Sequence, residues 1–76
     1  MTVYEKVVSV TKVYLGPAAE AFIARQCKSH LNKEPRQLLQ PDLADLAKWM
    51  EIGVRLLLTD RVKSAELANK VRAVSA

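Results

Sequence analysis

Apolar residues recur along this chain at helical spacing. Between Val3 and Leu15, the positions Val3, Tyr4, Val7, Val8, Val10, Tyr14 and Leu15 gather on one broad face at about 100° per residue, with Glu5, Lys6, Ser9 and Lys12 opposite. The valine content suits a strand, but apolar and polar residues do not alternate, so the period predicts a helix over 3–15. A second stripe runs through Ala19, Phe22, Ile23, Cys27 and Leu31, with Arg25 and Lys28 on the outer side, and predicts a helix over 17–31. Between the two stands Gly16-Pro17. Gly16 is expected to close the first helix in the left-handed conformation, and Pro17 to open the second, where its missing N–H costs nothing. The pair is therefore a structural joint between two helices.

The stretch Asn32-Lys33-Glu34-Pro35-Arg36 is the one extended connection, since Pro35 disfavours helix at Glu34, and Leu38-Leu39 are expected to tuck back onto the core. Pro41 predicts the start of a third helix, reaching Leu58, with Asp42 and Asp45 at the positive end of its dipole. Thr59 or Asp60 is expected to cap a fourth, ending near Val74, with Leu67, Val71 and Val74 as its stripe. The expected architecture is a single all-α domain over residues 1–76, a compact four-helix domain with short connections.

The third helix is the most informative. Leu43, Leu46, Ala47, Met50, Gly53, Val54 and Leu57 share one face, as a core face should. Trp49, Ile52 and Leu56 form a second stripe nearly opposite its centre, with Asp45 at one end and Lys48, Glu51 and Arg55 alongside. A helix that is apolar on two sides is either sandwiched inside its own domain or shared with another chain. In a chain of 76 residues, burial between subunits adds apolar area that a small core lacks. The expectation is a two-fold homodimer with Trp49, Ile52 and Leu56 at its centre and Lys48, Glu51 and Arg55 as the polar rim. Sandwiching within the domain is the alternative.

Charge alters the picture only once it is localised. The net charge is +4. Residues 25–36 hold Arg25, Lys28, Lys33 and Arg36 against Glu34, and residues 61–72 hold Arg61, Lys63, Lys70 and Arg72 against Glu66. Residues 42–51 are acidic on balance. The basic segments suggest phosphate contacts and hence an alternative role as a nucleic-acid-binding accessory protein, through Arg25, Lys28, Lys33, Arg36, Arg61 and Lys63. Four aromatic residues, mostly on core faces, provide little for stacking bases.

Candidate chemistry is sparse. The single cysteine excludes an internal disulfide. Cys27 and His30, three apart, could approach one another on a helix, but no second His or Cys completes a metal site and no third residue orients the imidazole. Gln26 and His30 fall on the apolar face of the second helix, where backbone groups at the core edge are expected to satisfy them, the alternative being that they line a polar pocket. With two glycines, neither in a phosphate-loop context, and no acid–base pair, the chain is expected to be non-enzymatic, without cofactor or metal. It has no signal-peptide pattern and no apolar run of membrane-spanning length, so a cytoplasmic location without membrane attachment is expected.

The residues Leu15-Gly16-Pro17-x-Ala19, followed by an amphipathic helix and then Leu43-x-x-Leu46 opening another, resemble an uncharacterised small helical domain found at the C-termini of bacterial signalling proteins such as kinases and response regulators. Those domains commonly carry a larger aliphatic residue at the place of Ala18. The resemblance implies a role in protein interaction or assembly, in signalling or otherwise, and supplies no catalytic residues.

Overall fold

The computed structural model describes residues 2–74, which form three helices, not four. Helix α1 is a helical run over Val3–Leu31, α2 covers Leu43–Leu58, and α3 covers Arg61–Arg72. The expected boundary between the first two helices falls inside α1. Helical hydrogen bonding lapses for less than a turn there: the Gly16 N–H still donates to the Lys12 carbonyl, and the Ala19 N–H donates to the Gly16 carbonyl. The chain bends at Gly16 through a 3-10 turn, Gly16–Ala18, and continues as a second limb without an intervening loop.

Gly16 has the positive φ expected of it, 58°, but its ψ of −135° is not that of a left-handed helical cap. The cause is Pro17. The proline Cδ crowds the preceding residue out of the α region, and for a glycine, which lacks Cβ, the mirror-image region is crowded likewise.

Two further departures have local causes. The last turn of α1, Cys27–Leu31, is π-helical, and this wider turn sets the helical phase back. His30, expected on the apolar face, is turned out to solvent, while Cys27 stays fully buried. Asn32 then ends α1 in the left-handed conformation, its N–H and that of Lys33 both donating to the Cys27 carbonyl. At the other end, Thr2 and Glu5 form a capping box, a T-x-x-E signal that the hydrophobic pattern alone does not show.

Helix α2 lies at the centre of the domain. It buries Leu43, Leu46, Ala47, Met50 and Val54 against Val7, Phe22 and Ile23 of α1 and Leu67, Ala68 and Val71 of α3. Pro41 lies one turn ahead of the helix proper, in a 3-10 turn, Gln40–Asp42. Leu38 tucks into the core as expected, whereas Leu39 is exposed. Thr59, with φ 52°, ends α2 in the left-handed conformation, and the Asp60 carboxylate caps α3 by accepting from the Lys63 N–H at 3.0 Å. This two-residue turn folds α3 back along α2, and the Gln40 side chain reaches the Val74 carbonyl at 2.5 Å.

Helix α1 is also long and apolar enough, by length and composition, to cross a membrane, a length it owes to continuing through Gly16-Pro17. A third of its most apolar window is buried in the domain.

Candidate functional site

The second apolar stripe of α2 divides in two. Ile52 and Leu56 are 43% and 78% exposed, neighbours on adjacent turns of the face that points away from α1 and α3. Trp49 is half-buried. Its ring lies flat on His30, with centroids 3.9 Å apart and planes at 4°, and the Lys48 ammonium sits 5.5 Å from its centre. The π-helical turn that removes His30 from the core therefore delivers it to Trp49. One edge of the stripe is fixed by the domain itself, and its middle is open.

The rim residues surround this opening. Glu51 pairs with Arg55 at 3.3 Å and with Arg72 of α3 at 3.9 Å. Lys48 is exposed beside Trp49, and Asp45 is exposed and forms no ion pair among the described residues. Leu57, expected in the core, is 63% exposed, while Leu58 beside it packs against the core instead. Apolar surface thus continues from Ile52 and Leu56 toward the end of the helix.

Gly53 positions α2 against α1. A Cβ at this position would lie 2.8 and 2.9 Å from two ring carbons of buried Phe22, so glycine is what allows the helices to approach this closely. Its place on the core face was legible in the sequence, but its close approach was not.

Half of the cations in the basic segments are paired. Lys28 pairs with Glu34 at 4.0 Å, Lys33 with Asp42 at 2.6 Å, Lys70 with Glu66 at 3.8 Å, and Arg72 with Glu51. Arg36 lies 5.9 Å from the Tyr4 ring centre. Arg25, Arg61 and Lys63 are exposed without an ion pair among the described residues. The Lys33–Asp42 pair fastens the α1–α2 connection, and Asp42 also accepts from the Leu39 N–H at 2.9 Å. The hydrogen bond from Lys33, then that from Leu39, holds the Asp42 carboxyl below its usual range against some desolvation.

Cys27 and His30 do not meet as a reactive pair. The thiol is enclosed, and burial, with a smaller contribution from Asp42, pushes it up to about 11, while His30 faces outward. A thiol so placed is a poor nucleophile at neutral pH. No group of three or more His, Cys, Asp or Glu residues that could hold a metal occurs among the described residues.

A cleft of about 410 Å³ lies between the first limb of α1 and α3, beside Val13 and Leu58. Three of its polar side chains are engaged with one another: the Tyr14 hydroxyl donates to Glu66 at 2.7 Å, and Lys70 lies 5.2 Å from the Tyr14 ring centre. Compared with protein-family models, curated proteins and solved structures, the chain matches none of them.

Proposed function

We propose that this protein is a non-enzymatic helical interaction module that self-associates through the outer face of α2. The observation that carries this reading is the exposure of Ile52 and Leu56 on a face bordered by Trp49, Lys48, Glu51 and Arg55. Isolated exposed apolar residues are ordinary, but two on adjacent turns beside a tryptophan and a charged rim have the composition of an interface centre. Trp49 is held flat by His30, so little side-chain freedom is lost when a partner covers it. A two-fold pairing is the economical solution, because one patch then serves both subunits. The resemblance carried by Leu15-Gly16-Pro17 favours the same role. The basic segments favour a second reading less, since Lys28 and Lys33 are matched with carboxylates and Arg36 lies against Tyr4, which leaves Arg25, Arg61 and Lys63 as the exposed cations without an ion pair among the described residues.

Trp49 is the only tryptophan and reports on this face directly. Association is expected to shift its emission to shorter wavelength as concentration rises, and Leu56→Glu to abolish that shift while leaving helical circular dichroism unchanged. Emission independent of concentration in the wild-type protein overturns the proposal.

A further inference from the structure

The charges along the face of α2 alternate in sign: Asp45, Lys48, Glu51, Arg55. Read in reverse, the series is its own complement. We infer that the partner on this face is a second copy whose α2 runs antiparallel, with residue 50 near the two-fold axis, Asp45 of each chain meeting Arg55 of the other and Lys48 meeting Glu51. The inference rests on the self-association proposed above and adds the orientation and register of the partner.

Two helices packed side by side along their length about a two-fold axis run in either a parallel or an antiparallel arrangement. In the parallel one, symmetry sets every residue beside itself, so Asp45 faces Asp45 and Arg55 faces Arg55, and like charges oppose along the whole face. In the antiparallel one, residues on either side of the axis exchange places. Asp45 and Arg55 lie five residues to each side of residue 50, about 7.5 Å along the axis, and Lys48 and Glu51 lie close to it. Trp49 and Ile52 then flank the axis. At about 100° per residue, Asp45, Ile52 and Leu56 fall within about 40° of one another, so the carboxylate is aimed along the same direction as the apolar pair.

The state of these charges within one chain agrees. Asp45 is exposed and has no ion pair among the described residues. The Arg55 side chain is 46% exposed, and its partner Glu51 is also held by Arg72, so Arg55 can turn to a second carboxylate without leaving Glu51 unpaired.

The test uses the full chain in two variants at exposed positions, Asp45→Lys and Arg55→Glu, with helical circular dichroism as the check that each is folded. Alone, each places like charges at both ends of the antiparallel interface and is expected to weaken self-association at least about tenfold. Mixed in equal amounts, they restore both pairs and are expected to form a one-to-one heterodimer, measured by native mass spectrometry and light scattering. Variants that associate as the wild type does, or that fail to pair when mixed while the wild type dimerises, overturn the register and leave self-association standing. A wild-type protein that stays monomeric at high concentration overturns both.

Discussion

Gly16 separates backbone strain from packing unusually cleanly. Its φ of 58° and ψ of −135° are the mirror image of the extended conformation that L-residues adopt most freely before proline. An L-configured Cβ added here would meet nothing within 4 Å, so the methyl group of L-alanine brings no clash and its effect is conformational alone. L-alanine at this position must hold a positive φ, at a cost of about 1–3 kcal/mol. Restriction of the unfolded chain offsets about 0.4–1 kcal/mol of that. D-alanine fits the same dihedrals without strain and retains the unfolded-state gain, so the two enantiomers should differ by about 1–3 kcal/mol. At about 4–8 °C per kcal/mol for a domain of this size, the Gly16→Ala protein should melt well below its D-alanine counterpart. The D-alanine protein should melt slightly above the natural one. The chain is accessible to synthesis, because ligation at Cys27 joins two fragments of manageable length. Urea and thermal unfolding followed by circular dichroism measure the differences. Equal stability of the two enantiomers would show that residue 16 carries no positive-φ strain, and an L-alanine protein more stable than its D-alanine counterpart would show that residue 16 has ordinary helical dihedrals; either result rules out the strain described.

Three further outcomes are expected. Because Asp42 is held below the usual carboxylate range, its pairing contributes stability that is present above the unfolded pKa of about 4 and lost as pH falls through the folded value, so Asp42→Asn should flatten the acid limb of a pH–stability curve. Cys27, with its thiol pushed up to about 11, should resist alkylation at pH 8 in the folded protein and react at a rate that rises with urea. Gly53→Ala should destabilise by about 1 kcal/mol despite the better helix propensity of alanine, because Phe22 must yield, and Phe22→Leu in the same chain should recover part of the loss, as read by urea midpoints.

The sequence is most legible where one local rule acts without competition. The core face of α2 follows from its period, and Leu43, Leu46, Ala47, Met50 and Val54 are buried as that period requires. Gly16 shows two rules meeting: the positive φ is readable from glycine at a helix end, but its ψ is set by the proline that follows, and with the joint so short the two limbs form one bent helix. His30 escapes a fixed period because a π-helical turn changes the phase in the middle of the stripe. Leu57 escapes because periodicity gives a direction and no information about which side of the last turn the neighbouring helices cover, and there it is Leu58 that packs against the core. The separation of Trp49 from Ile52 and Leu56 depends on His30, nineteen positions earlier in the chain, and such a contact has no local signature. Asp60 rather than Thr59 as the cap of α3 rests on a similar margin, one residue, fixed by which side chain faces the Lys63 N–H.

If the outer face of α2 is an interface, molar mass in solution shows it. Light scattering across a concentration series should give twice the mass of one chain for the wild-type protein at high concentration. Ile52→Glu, which places a carboxylate at the middle of the face and touches no buried residue's position in the core, should give the mass of one chain with unchanged helical circular dichroism. A wild type that keeps the mass of one chain throughout, or an Ile52→Glu variant that unfolds, contradicts the account.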